Sequence, residues 1–482
     1  MISYDQLFIG GIWRSPAGND TIDVVSASSE QLIGSVPEAT GADVDLAVEV
    51  ARAAFLDPEG WPAWSPQRRA DVLDRFADEL EKRSEQTIYT IAQENGMPIS
   101  IARALEKDSP ALLVRYYAGL VRSQAREDIR PGVWVASTSV RTYPIGVVAA
   151  IVPWNVPQTL TFTKLAPALA AGCTIVIKPS PETALDSFFI AEAALAAGIP
   201  EGVISILPGG RELGAYLVSH PGIDKVAFTG STEGGRAVAQ ACARLLRPVS
   251  LELGGKSAAV ILDDLDLDIE KIGQQLFAAT LANNGQVCFL GTRVLAPRHR
   301  YNEVIEAMSA IMSSAPVGDP LDETTLIGPL ASSRQQERVS GYINRGINDG
   351  ARVIVGGKGR PLGLDRGWYV KPTLFADLDN NAAVAREEIF GPVLCVIPYD
   401  GDDDAVRIAN DSEFGLGGSV WSGDSGRALS VADRILSGTV GINGYAPDPY
   451  APFGGIKASG IGREMGIEGL ASYQRQKSIY SF

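Results

Sequence analysis

A chain of 482 residues exceeds what one hydrophobic core supports, since cores stop growing near ~250–300 residues, so at least two domains are expected. Apolar residues make up 45% of it and charged residues 21%, a balance that excludes a disordered or membrane-embedded protein. With 42 Lys and Arg against 57 Asp and Glu the net charge is −15, which repels phosphate backbones and anionic bilayers and argues against nucleic acid or membrane as a partner.

The first residues, Met1 to Gln6, carry no basic stretch ahead of an apolar run, and no window offers ~18 uncharged apolar residues, so a cytoplasmic location is expected. Helical periodicity then occupies 43–56, 67–95 and 98–123. A polar segment, Arg130–Tyr143, follows between Pro131-Gly132 and Pro144 and reads as a hairpin-like arm, an exposed edge of the kind proteins cover by pairing. From about residue 145 the apolar runs Ile145–Val152, Cys173–Lys178, Val203–Leu207, Lys225–Thr229 and Val249–Leu253 alternate with predicted helices near 158–171, 182–197, 211–219 and 233–246. Near-continuous apolar strands joined by crossover helices predict a parallel sheet covered on both faces, a doubly wound α/β nucleotide-binding architecture. A second alternation from Ile269 to Asn443, with strands at Arg293–Ala296, Val393–Tyr399 and Gly438–Ile442, predicts a second α/β domain, and the boundary falls near Gly254-Gly255.

The four cysteines, at 173, 242, 288 and 395, form no C-x-x-C pair, so neither a disulfide framework nor a metal site is expected. His220 and His299 both sit in loop-like surroundings, which disfavours a Ser/His/Asp hydrolase. Cys288, in Asn283-Asn284-Gly285-Gln286-Val287-Cys288, lies on a loop between a helix and a strand, whereas the other three thiols lie in apolar elements. The loop alone leaves two readings open, a small core residue or a presented nucleophile.

Glu252 alternates with Leu251 and Leu253 at the end of a parallel strand, where open α/β sheets bind ligands; it is either a general base or a solvated edge carboxylate. Gly230 and Ser231, in Phe228-Thr229-Gly230-Ser231, join strand to helix through a small-residue loop able to cradle a pyrophosphate or merely to turn tightly. Lys178 and Ser180 end another strand on the same edge, where Lys178 suits a ribose or a phosphate unless it is a plain surface lysine. Asn155, in Pro153-Trp154-Asn155, is an oxyanion donor or a turn residue. Glu387-Glu388-Ile389-Phe390-Gly391-Pro392 by itself reads as a loop.

In order and identity these motifs, with Lys178-Pro179-Ser180, Leu251-Glu252-Leu253-Gly254-Gly255-Lys256 and Pro452-Phe453-Gly454-Gly455, resemble the aldehyde dehydrogenase superfamily over essentially the whole chain. The resemblance implies a hydrolytic, NAD(P)+-dependent oxidation of an aldehyde to an acid, with Cys288 as nucleophile, Glu252 as general base, Asn155 as oxyanion donor and Glu464 at a position tied to proton transfer. It further implies that Trp154, Lys178, Ser180, Gly230, Ser231, Leu253, Glu388 and Phe390 hold the cofactor. A Rossmann-like cofactor domain would take residues 1–125 and 144–253, a catalytic domain 254–455, and an oligomerisation arm 126–143 with 470–482, giving a homodimer or homotetramer.

Two other outcomes belong to the same superfamily: a CoA-acylating semialdehyde dehydrogenase, disfavoured because such members typically lack the carboxylate at Glu252, and a silent structural homologue, disfavoured because Cys288 is present. NAD is the expected cofactor. Pro181 stands where many NAD-preferring relatives carry a glutamate, with Glu182 one residue further on, so NADP is also admitted. Val156, Leu160, Phe289, Tyr450 and Phe453 are expected to line an apolar substrate tunnel suited to a medium-chain or aromatic aldehyde.

Overall fold

The first alternation of apolar runs builds five parallel strands in the computed structural model, which describes residues 1–482. Their order across the sheet is Val249–Glu252, Lys225–Thr229, Val147–Ile151, Thr174–Lys178 and Ile204–Ile206. The chain starts in the middle, moves out one way, then crosses back and moves out the other. The strand order therefore reverses between Val147–Ile151 and Lys225–Thr229, the switch point where such sheets leave a crevice beyond their carboxyl ends. Alternate residues serve opposite cores: Val148, Ala150, Ile175 and Ile177 join one buried cluster, Val147, Ala149, Ile151 and Val176 the other. That two-sided burial is why these runs read as continuously apolar.

Each predicted helix in this part forms, and Gly172 and Gly198 stop two of them in the left-handed region that a side chain would disfavour. The helix expected over 98–123 is broken instead. Ile99–Ala102 runs into a π-turn, Arg103–Lys107, before Ser109–Ser123 resumes. Pro110 has no N–H to return to the Glu106 carbonyl, so the regular ladder cannot pass that point.

The sequence reading placed no strands before residue 40, yet Leu7–Ile9 pairs antiparallel to Ile204–Ile206 and Ile12–Arg14 extends that edge. A separate small sheet joins Ile2–Ser3, Thr21–Val25 and Leu32–Pro37. The strands of two or three residues are too short for periodicity to reveal, and Thr21–Val25 and Leu32–Pro37 lack the continuous burial of the central strands. At the opposite edge Gly460–Ile461 returns to pair with Val249–Glu252.

The second sheet runs Arg352–Val355, Thr373–Ala376, Val393–Tyr399, Arg293–Pro297, Ala258–Ile261, Ser419–Trp421 and Gly441–Ile442, all parallel except the first. The arm is a hairpin, Glu127–Pro131 with Ser137–Pro144, and the terminal strand Gln474–Ser481 pairs along its whole second limb. One edge of the hairpin is thus covered by the chain's own end, within the segment 470–482. No helix is long and apolar enough to cross a membrane.

Candidate active site

Asn155 leaves the central strand at the switch point and is gripped from both sheets' surroundings. Asn95 donates to the Trp154 carbonyl at 3.0 Å, and Asn283 donates to the Asn155 carbonyl at 2.8 Å. The Asn155 amide itself donates to the Gln286 carbonyl at 2.9 Å, tying it to the loop that carries Cys288. Below this turn sits an acidic cluster. Glu106 accepts from the Thr159 amide at 2.7 Å and Asp186 from the Gln158 side chain at 2.6 Å, while Glu94 accepts from the Leu185 amide. Burial pushes Glu106 and Asp186 above the usual carboxylate range, so the helix start behind Asn155 is held by carboxyls whose charged form is disfavoured.

The Cys288 loop explains its own composition. Asn283 and Asn284 adopt φ of 51° and 61°, a conformation asparagine tolerates best among non-glycine residues. At Gly285, also left-handed, a Cβ would collide with the Gly391 carbonyl. Cys288 is the one thiol of four that is not fully buried, and it packs with Phe289, Leu416, Phe453 and Met465. Its main-chain oxygen abuts Gly255, which brings the end of the first sheet against the loop of the second. The same small cavity is lined by Cys288 and Glu388, and Glu388 accepts from the Gly255 amide at 2.9 Å. Burial, then the charges of Glu388 and Glu252, push the Cys288 thiol well up, so it is protonated at rest.

Glu252 is buried, which removes the reading of a solvated edge residue. Its Oε2 accepts from the Gly455 amide at 3.3 Å, and its Oε1 has no partner. Burial and then Glu464 raise it well above the usual carboxylate range, with Lys164 opposing. Glu464 forms a fully enclosed ion pair with Lys164 at 2.8 Å, and Lys164 also donates to the Thr229 hydroxyl at 2.7 Å. Lys164 escaped the sequence reading. Its signal was a lone charged side chain inside the helix Pro157–Ala171, whose other residues are all uncharged.

Around the switch point, Lys178 is buried and donates to the Pro179 and Gly209 carbonyls, both at 2.8 Å; burial pulls it down to about 8. It is not a plain surface lysine. Ser180 donates to Glu182, which also pairs with Arg334 at 3.3 Å. Gly230 donates its N–H to the Glu252 carbonyl, and Ser231 caps the helix Thr232–Arg244 by accepting from the Gly234 amide. Leu253 is buried against Gly235, where any Cβ would strike it. Phe390, with φ of 65°, stands edge-on to Trp154 with ring centres 5.4 Å apart, so residues from both sheets flank the crevice.

The expected tunnel is only partly assembled. Phe289 and Phe453 share the cluster of Cys288, their rings 6.4 Å apart. Val156 and Leu160 do not. Val156 is the residue before the helix Pro157–Ala171 and Leu160 lies in its first turn, and both pack instead with Ile88, Ile91, Met97 and Ile99. Tyr450 is 63% exposed and packs tilted against Tyr116. Tyr445, which the sequence reading missed, takes the inner place, its ring 4.6 Å from that of Phe289 and its hydroxyl 2.5 Å from that of Thr439.

A family model described as the aldehyde dehydrogenase family matches residues 13–479. The chain is 52% identical over 479 residues to a geranial dehydrogenase of Castellaniella defragrans, covering 99% of each chain. A Mycobacterium tuberculosis aldehyde dehydrogenase solved in complex with NAD+ is 46% identical, with a TM-score of 0.96 over 99% of this chain and 98% of that one. A mutant of aldehyde dehydrogenase C from Pseudomonas syringae, complexed with NAD+ and octanal, is 40% identical with a TM-score of 0.94 over 99% and 96%. With a family match over nearly its whole length, around a cleft of this composition, the chain belongs to the aldehyde dehydrogenase family.

Proposed function

We propose that the chain oxidises an apolar aldehyde to the carboxylic acid with NAD+, through a thioester on Cys288 hydrolysed by water that Glu252 activates. The observation that carries this reading is that Cys288 lines one small cavity with Glu388, sits on the loop that Asn155 holds through the Gln286 carbonyl, and feels the charge of the buried Glu252. The unpartnered Oε1 of Glu252 is a proton acceptor beside a protonated thiol. Once the thiolate attacks the carbonyl carbon, the π-electron pair moves to oxygen. The second N–H of the Asn155 amide and the Cys288 main-chain N–H then serve the oxyanion. When bound, the nicotinamide supplies the two-electron acceptor that converts this adduct to a thioester. Glu252 next takes a proton from water, the hydroxide adds to the thioester carbon, the C–S bond breaks and the thiol is restored. The proton on Glu252 returns to the departing thiolate, and Glu464, paired with Lys164, gives the proton first drawn from Cys288 an enclosed onward path.

The residues fit the cofactor. Two of the three Lys178 donors are occupied by carbonyls, leaving one for a ribose hydroxyl. Gly230 and Ser231 lie at the switch point where a pyrophosphate meets a helix start. Trp154, Ser180, Leu253, Glu388 and Phe390 complete the binding surface. NAD+ is favoured over NADP+ because Glu182, fixed between Ser180 and Arg334, places a carboxylate beside Lys178 that repels a 2′-phosphate. The aromatic and aliphatic wall of Phe289, Tyr445, Phe453, Leu416 and Met465 supports a medium-chain or aromatic aldehyde, and the geranial and octanal named for two similar proteins are both apolar. Steady-state kcat/KM over an aldehyde panel is expected to favour NAD+, and medium-chain over two-carbon aldehydes by about tenfold or more. A tenfold preference for NADP+, or turnover that requires CoA, overturns these assignments.

The arm, residues 126–143 with 470–482, is assigned to self-association, and the divisions 1–125 with 144–253 and 254–455 to cofactor binding and catalysis. The outer limb Glu127–Pro131 keeps an open edge, and Val133 and Trp134 at its tip are 89% and 92% exposed. Sedimentation at micromolar concentration should give a homodimer or homotetramer; a monomer refutes this role. Four free cysteines without a disulfide fit a reducing compartment such as the cytoplasm.

A further inference from the structure

A second cavity, of about 550 Å³, lies at the base of the arm, between the turn after helix Gly41–Leu56, the end of helix Ser109–Ser123 and the strands Ser137–Pro144 and Gln474–Ser481. Four guanidinium groups, Arg69, Arg126, Arg141 and Arg475, line it against a single carboxylate, Asp57. Arg69 is only 4% exposed, yet its partners are all main-chain carbonyls: Trp64 at 2.7 Å, Ala170 at 3.3 Å and Pro62 at 3.5 Å. Arg126 donates to the same Trp64 oxygen at 2.5 Å, so two cations converge on one carbonyl with no acid between them. Arg141 is the only one of the four in an ion pair, with Glu127 at 3.1 Å.

Acids are not scarce in a chain with 57 of them against 42 bases, and its other arginines are widely ion-paired. The carboxyl end of helix Pro157–Ala171 accounts for Arg69 through the Ala170 carbonyl, but not for the three cations gathered around it. Burial, and then the charge of Arg126, pull Arg69 down to about 10. Like charges held together in a concave site are stabilised when an anion joins them.

We propose that this cavity binds a small multivalent oxyanion, a phosphate- or carboxylate-bearing metabolite, between Arg69, Arg126 and Arg475. Planar guanidinium forks match both kinds of oxyanion, and the volume falls in the range of small-molecule sites, ~300–1,000 Å³. Because arm strands form one wall, the ligand bridges the arm to the first sheet's helices and stabilises the folded chain by mass action.

The test is calorimetric titration of the full-length protein, saturated with NAD+ so that the cleft's own phosphate-binding surface is filled, with inorganic pyrophosphate and with citrate at constant ionic strength. Saturable binding of at least one probe is expected, weakened at least about tenfold by Arg126→Gln and by Arg475→Gln, with aldehyde turnover within about twofold of the parent. Both variants lie at the exposed rim and spare the fold. The tighter probe identifies phosphate or carboxylate as the natural group. No saturable binding of either probe, or binding that both variants leave unchanged, overturns the proposal.

Discussion

Cys288→Ala should lower aldehyde oxidation by at least about 10⁴-fold while leaving the affinity for NAD+ within about twofold. Loss of the nucleophile removes the covalent route altogether. The Asn155 and Glu388 contacts remain, because they engage the Gln286 carbonyl and the Gly255 amide and not the thiol. The same change at Cys173, Cys242 or Cys395 should affect stability alone, since all three are buried in the cores of their sheets or helices. Steady-state rates with fluorescence titration of the cofactor check this. Activity of the Cys288 variant within tenfold of the parent ends the mechanism.

Glu252→Gln should separate the two half-reactions. If Glu252 serves water alone, the variant still forms the thioester, releases one equivalent of NADH per site in a burst, and then turns over about 10³-fold more slowly than the parent. If it also deprotonates Cys288, the burst slows as well. The pH response then has a definite sign. The Cys288 thiol is held above its ordinary value, near 8.5, by burial and by the charges of Glu388 and Glu252, so raising the pH populates the thiolate and restores the burst. Removing the Glu252 charge lowers the thiol from its parent value and assists that recovery. Stopped-flow absorbance across pH distinguishes the cases, and parent-like steady turnover without a burst assigns hydrolysis to another group.

Much of this architecture was legible in the residues because both sheets bury both faces. The run Lys225–Thr229 forms a strand with the bounds its apolar letters and flanking turns mark. The early strands Leu7–Ile9 and Ile12–Arg14 were not legible, since three residues show no period and the strand to which Leu7–Ile9 docks, Ile204–Ile206, lies some 200 positions away. Within the cleft, Cys288 and Glu252 stood out by motif, and the structure adds what no motif carries: a raised carboxyl with a free oxygen. Val156 and Leu160, close to Asn155 in sequence, pack with the helix residues Ile88, Ile91 and Ile99, a contact that no local pattern carries. Lys164 is marked only as the lone charge of its helix, and Tyr445 reaches the site from a position whose neighbours are uninformative.

The strand that carries Glu252 has a further dependence, on the order in which the chain is made. Its outer edge is sealed by Gly460–Ile461, and the second limb of the arm by Gln474–Ser481, pairings that span roughly 200 and 330 residues. Contacts of such separation form late, because the loop between them must be closed first. A nascent or truncated chain ending before residue 460 therefore displays two unsealed ladders, one beside Glu252 and one along the arm. Both are templates for the wrong partner until the final segment emerges.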